Sequence, residues 1–210
     1  MTPEQTLEHA QQTLAAHTRG ELQFDEHLRP LKFVRCSDGM LVAPVMVAMI
    51  HATETVLFVP HADDDAMQLL ITLDPFEEQG ENGSRCDRWH IYHGEPDDVR
   101  WALLRIDAAR FQGSIIDGQA LEQTNPLAGI EAELCNRINQ SDQLRSQLAA
   151  CIHAQHDIAI EEPTLVGVDP RGLDVRGPFD VVRVGFDASV RASDNAAIED
   201  ITHRLTSGDC

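Results

Sequence analysis

The chain has 210 residues, enough for one large domain or two small ones, and a chain of that size buries about 70% of its unfolded surface without needing disulfides or a metal. Hydrophobic residues at 42% and charged residues at 24% place it among ordinary globular proteins. Its 35 acidic residues outnumber 16 basic ones, and the formal charge of -19 repels the phosphates of nucleic acid and of anionic lipid, which excludes both as partners.

The first helix is expected from Thr2. This residue is the N-cap, Pro3 fits the first turn, and Leu7, Ala10 and Leu14 recur on one face. Gly20 is the expected stop. Strands follow from Leu28, with a Ser37-Asp38-Gly39 turn before the apolar run Met40 to Ile50. Pro44 in that run predicts an edge strand or a bulge. Further strands are expected over Thr55 to Val59, Met67 to Leu73, Trp89 to His93, Arg100 to Ile106 and Ser114 to Ile116, with a polar loop from Asp74 to Arg88 and a turn at Gly94 to Asp98. Six or so short strands with close turns predict a β-barrel, because closure removes exposed edges.

Asp117 to Pro126 is the expected boundary, dividing a domain over 1–122 from one over 127–210. An apolar stripe from Ala128 to about Gln155, broken at Asn139 to Asp142, predicts two helices, the second capped by Ser141 or Asp142. Leu165 to Phe186 then reads as two or three short strands with turns at Asp169 to Gly172 and Gly177-Pro178. A last helix is expected from Asp194 to Leu205, with Ser193 as N-cap and Ile198, Ile201 and Leu205 inward. The five cysteines are scattered, odd in number and without a C-x-x-C pair, which predicts a reduced, cytoplasmic protein. No basic segment followed by an apolar one opens the chain, so no signal peptide is expected, and Met40 to Ile50 is too short to span a membrane.

Candidate chemistry is sparse. His61-Ala62-Asp63-Asp64-Asp65 gathers four potential metal ligands but lacks the glycine and spacing of a calcium loop, so a solvated turn or helix start is the favoured reading and no metal site is expected. His90 and His93, read on a strand, point to opposite faces and do not chelate one ion. His153 and His156 share a helix face, without a third ligand at a telling spacing. There is no G-x-S-x-G elbow, phosphate loop or dinucleotide fingerprint, so catalytic residues are not assigned. Trp89, Tyr92 and Trp101 are candidates for stacking on a flat cofactor, with a core or interface role favoured.

Three stretches, taken in order, carry a family resemblance. DGMLVAPVMVAMI followed by TVLFVP is similar to an opening hairpin and third barrel strand. VRWALLRIDAARFQGSIIDGQAL, from Val99 to Leu121, is similar to a late barrel strand. Leu165 to Phe186, preceded by Glu131 to Ile138, is similar to a small α/β domain. Together they resemble the FMN-binding split barrels related to pyridoxamine 5'-phosphate oxidase, and within them the two-domain haem-iron utilisation branch. The resemblance implies an α+β protein, a split β-barrel followed by a small α/β C-terminal domain. It further implies a homodimer, FMN or haem as cofactor, and a small-molecule oxidoreductase or haem-utilisation role. Lys32, Arg35 and Arg105 are the phosphate-binding candidates by residue type and placement, and Trp89 completes the cofactor set. The branch usually opens its second domain with a Met-Asn-x-Asp-His-like motif. The comparable positions here read Ile138-Asn139-Gln140-Ser141-Asp142, without the histidine, and Asp63 to Asp65 stand where a basic residue helps hold the cofactor phosphate. These departures favour the alternative, a non-enzymatic relative that has lost its cofactor site.

Overall fold

The computed structural model describes residues 2–96, 100–186, 189–190 and 194–208. They divide into two compact units, Met1–Thr124 and Asn125–Cys210, each with its own buried core.

The first unit opens with α1 (Pro3–Ala15). Thr2 and Gln5 form a reciprocal capping box, and Thr6, Ala10 and Leu14 are buried. Gly20 does not stop this helix. It lies in a strand the sequence reading missed, β1 (Arg19–Phe24), where Gly20, Leu22 and Phe24 alternate inward. A side chain at Gly20 would overlap the Phe58 carbonyl oxygen, so this glycine serves close strand packing rather than helix termination.

Strands β2 (His27–Lys32), β3 (Val34–Arg35), β4 (Leu41–Val45), β5 (Thr55–Val59), β6 (Met67–Phe76), β7 (Arg100–Phe111) and β8 (Ser114–Asp117) complete an antiparallel sheet in the order β2-β1-β5-β6-β7-β4-β3, with β8 on β7. The sheet curls into a half-barrel around Leu22, Leu57, Leu69, Ala102 and Leu104. The apolar run after Met40 is not one strand. It leaves the sheet at Val45 and turns into the short helix α2 (Val47–Ile50). Pro44 lies in a strand with neighbours on both sides, yet β3 pairs only with Leu41 and Val42. At Pro44 the partner is Trp101 of β7 alone, so the missing N–H costs no ladder bond.

Trp89 to His93 is not a strand. It is the second half of α3 (Gly83–His93), which Gly94 ends at a φ of 82°. Cys86, Trp89 and Tyr92 fall on its buried face, and Trp89 meets Trp101 of β7 edge to face at 5.6 Å. The expected polar loop from Asp74 is correspondingly short, because β6 continues to Phe76 and α3 begins at Gly83. Asp97, Asp98 and Val99 lie outside the described residues.

The second unit holds α4 (Ala128–Asn139), α5 (Asp142–His156), the meander β9 (Thr164–Asp169), β10 (Gly172–Arg176) and β11 (Val181–Gly185), and α6 (Asp194–Ser207). Ser141 caps α5 by accepting from the Leu144 N–H, while the expected cap Ser193 lies outside the described residues. Leu134, Ile138, Leu148, Ile152, Leu173 and Val184 share its core with Ile198, Ile201 and Leu205 of α6.

Both edges of this small sheet are closed by side chains. Asn139 donates to the Leu165 carbonyl and accepts from its N–H, at 2.9 and 2.8 Å. Asn125 donates to the Val168 carbonyl, and Glu131 accepts from the Val168 N–H. On the far edge Gln155 makes the same reciprocal pair with Gly185, and His156 donates to the Arg183 carbonyl. Helix side chains thus take the place of further strands, which closes the edges against other chains. Cys151 is disulfide-bonded, so the thiols are not all reduced as their scatter implied; spacing alone does not show which cysteines the fold brings together.

Candidate functional site

The half-barrel has an open seam along β2. The Phe33 N–H donates to the Thr18 carbonyl at 2.8 Å, which turns Phe33 and its alternate neighbours toward the β1 side. Lys32 and Pro30 fall in the opposite phase and face away. Pro30 therefore directs its missing donor to the open edge, where no ladder bond is lost.

Helix α3 closes part of this edge. Trp89 Nε1 donates to the Lys32 carbonyl at 3.2 Å, His93 Nε2 donates to the Phe33 carbonyl at 3.1 Å, and Arg88 Nε donates to the Arg35 carbonyl at 2.8 Å. These bonds fix the indole of Trp89, which is only 3% exposed and is also packed against the His93 ring.

Beside Trp89 the seam leaves a cleft of about 250 Å³. Arg29, Pro30, Leu31 and Lys32 of β2 line one side. Pro44 of β4, Met46 just after it, Met49 of α2, Trp89 of α3 and Glu95 complete it. Among the described residues its three charged side chains, Arg29, Lys32 and Glu95, make no ion pair or side-chain hydrogen bond. Charges beside it are matched at Arg85 and Asp38. Arg85 holds Asp38 through two bonds of 3.1 and 2.7 Å, which lowers the Asp38 carboxyl below the usual aspartate range.

Of the four expected cofactor residues, Lys32 and Trp89 line this cleft and Arg35 and Arg105 do not. Arg35 belongs to β3, where its carbonyl anchors Arg88. Arg105 stands on the outer face of β7, half exposed and 3.4 Å from Asp74. Arg29 and Glu95 went unremarked in the sequence. They are single charged residues in segments more than 60 positions apart, and no local pattern marks them as neighbours.

The other candidates have structural partners. His61 to Asp65 is an exposed turn in which the Ala62 N–H donates to Glu21 and the Asp65 N–H to Asp63. Among the described residues no three or more His, Cys, Asp or Glu side chains converge on a metal-sized site. His90 and His93 lie on a helix, not a strand, so the opposite-faces argument fails. Each instead bonds a carbonyl, that of Gly94 and that of Phe33. His156 holds the Arg183 carbonyl, and His153 faces Asp157 at 3.9 Å.

Cys36 and Cys86 are free, buried thiols. Burial pushes both up, Cys86 to about 11 with Glu78 adding to the effect. Thiolates are therefore scarce at neutral pH, and both are expected to stay unmodified by a disulfide reagent until denaturant is added. Rapid labelling of either in the native protein, read by mass spectrometry, would contradict this.

A curled antiparallel half-barrel with a lateral cleft, and a small α/β unit after it, define an α+β protein of split-barrel architecture. Among solved structures, a protein of unknown function from Agrobacterium tumefaciens matches 98% of this chain with 97% of its own at a TM-score of 0.70 and 15% identity, which shows a shared fold. A heme-binding protein from Mycobacterium smegmatis aligns over 96% of this chain and 98% of its own, at a TM-score of 0.42 and 17% identity, too loose a likeness to carry over a ligand. No family model matches the chain, and no curated protein matches it in sequence. No helix among the described residues is long and apolar enough to cross a membrane.

Proposed function

We propose that the first unit binds a small molecule in the seam cleft, with Lys32 facing an anionic group of the ligand and Trp89 forming a rigid wall. One observation carries the reading: Lys32 and Trp89, 57 positions apart, meet at a cleft whose charges have no partner among the described residues. The family resemblance supplies FMN or haem as the molecule, an oxidoreductase or haem-utilisation role, and a cytoplasmic homodimer. With FMN or haem bound, the cofactor supplies the electron chemistry and the chain supplies placement and charge. Arg35 and Arg105 would meet only a ligand that extends beyond the cleft.

A second reading is a non-enzymatic relative without a cofactor. It is favoured by the pairing of Arg105 with Asp74, and by Asn139, which at the motif position is engaged with the backbone of β9.

Titration with FMN and haemin, followed by flavin fluorescence and the Soret band, separates the two. The first reading expects micromolar binding that weakens about ten-fold or more in Lys32→Met, the loss of one charge-assisted contact. Unchanged spectra at saturating ligand would leave the second reading. Sedimentation of the same sample checks the homodimer, and a clean monomer would remove it.

A further inference from the structure

The charges of the cleft are of both signs. Arg29 and Lys32 stand on the β2 side, and Glu95 follows the C-terminal end of α3. Among the described residues none of the three has an ion-pair or side-chain hydrogen-bond partner. A simple anion would meet two cations but also Glu95, and like charges at short range repel. A simple cation would meet the reverse. A molecule carrying both signs satisfies all three.

The rest of the protein points the same way. A formal charge of -19 penalises the approach of any free anion, whereas a ligand with no net charge feels no such long-range cost. Size sets a further limit. The cleft of about 250 Å³ equals about eight waters of liquid volume, below the roughly 300–1,000 Å³ of sites for drug-sized ligands. The non-charged lining is apolar and aromatic: Pro30, Leu31, Pro44, Met46, Met49 and Trp89. A peptide strand added along β2 is a poor occupant, because Pro30 offers no N–H to the open edge.

We propose that the seam cleft holds a free α-amino acid with an apolar side chain. Its carboxylate lies against Arg29 and Lys32, its ammonium toward Glu95, and its side chain on Pro44, Met46, Met49 and Trp89. This rests on the preceding reading that the seam cleft is the ligand site, and places an amino acid there instead of FMN or haem.

Calorimetric titration of the full chain tests it with L-phenylalanine and two analogues: 3-phenylpropionate, which lacks the ammonium, and phenethylamine, which lacks the carboxylate. Phenylalanine is expected to bind, and each analogue to bind about ten-fold or more weakly, the loss of one charge-assisted contact. Glu95→Gln is expected to abolish the preference over 3-phenylpropionate. The pair Arg29→Met with Lys32→Met is expected to abolish the preference over phenethylamine. Equal binding of phenylalanine and 3-phenylpropionate overturns the amino-acid assignment and leaves the anion reading standing. Binding of FMN or haemin with none of the three small ligands overturns the assignment alone. Silence of all five ligands overturns both.

Discussion

Gly118→Ala is expected to destabilise the first unit by about 3 kcal/mol or more, a cost typical of severe overpacking. Gly118 starts a 3-10 turn directly after β8 and is buried. A methyl group there would overlap the Ile106 carbonyl oxygen and stand 3.0 Å from the Asp107 carbonyl carbon. These are backbone atoms of β7, the strand that pairs with β4, β6 and β8, so they cannot yield as a flexible side chain would. For a unit of this size the loss lowers the unfolding midpoint by about 12 °C or more. Gly129→Ala gives the opposite sign. Gly129 sits inside α4 with open space around its α-carbon, and alanine there is expected to stabilise by about 0.5 to 1 kcal/mol. Thermal and urea unfolding of both variants check the pair. A Gly118→Ala protein within about 1 kcal/mol of the parent would mean that the β7 backbone is not held as described.

How far the fold was legible depended on whether local pattern and tertiary packing agreed. Thr55 to Val59 alternates and forms as read, and Leu165 to Phe186, expected as two or three short strands between turn residues, forms three. Ser141 caps α5 because its hydroxyl precedes a helical stripe. Trp89 to Tyr92 misled because aromatic and β-branched residues favour strands locally, while burial of Cys86, Trp89 and Tyr92 on one face selects a helix. β1 was missed because Arg19-Gly20-Glu21 reads as a helix stop, whereas Gly20 is there to let Phe58 approach.

The site was less legible than the fold. Lys32 and Trp89 were named for their chemistry, and that reading did not link them to Arg29 or Glu95. What joins the four is the phase of β2, set by its register with β1, and the bonds that hold α3 beside it. Neither is written in a local pattern. The same holds for side chains that close sheet edges. Asn139 belonged to a cofactor motif by resemblance, and in the fold it completes the hydrogen bonding of Leu165. An amide that pairs with both groups of an edge residue is indistinguishable in sequence from an amide that holds a ligand.

Arg183→Met is expected to destabilise the second unit by about 3 to 5 kcal/mol, because it removes the buried cation that bridges two largely buried carboxylates. The Arg183 side chain is 9% exposed and bridges Asp169 at 2.6 Å and Asp174 at 2.9 Å. Burial works against its charge, but the Asp174 and Asp169 carboxylates outweigh that and raise its pKa above the usual arginine value. A raised pKa on an arginine contributes stability below the unfolded value, which covers the whole accessible pH range, so the parent gains no pH dependence from this group. The variant behaves differently. Without the guanidinium, Asp169 and Asp174 lose the cation that bridges them, and crowded like-charged carboxylates as a class have folded pKa values raised by mutual repulsion. Such groups favour folding below their unfolded pKa and lose that contribution as pH rises through the folded one. The deficit of Arg183→Met is therefore expected to be largest at about pH 8 and to shrink toward about pH 5. Adding Asp174→Asn and Asp169→Asn to Arg183→Met is expected to recover much of the loss, since the mutual repulsion of the two carboxylates is removed with their charges. Gly172 supports the same geometry from below, because a methyl group there would press on the guanidinium at 3.1 Å. Urea unfolding at the two pH values decides the matter. A deficit under about 1 kcal/mol at both, within the range of exposed ion pairs, would show that solvent reaches the bridge.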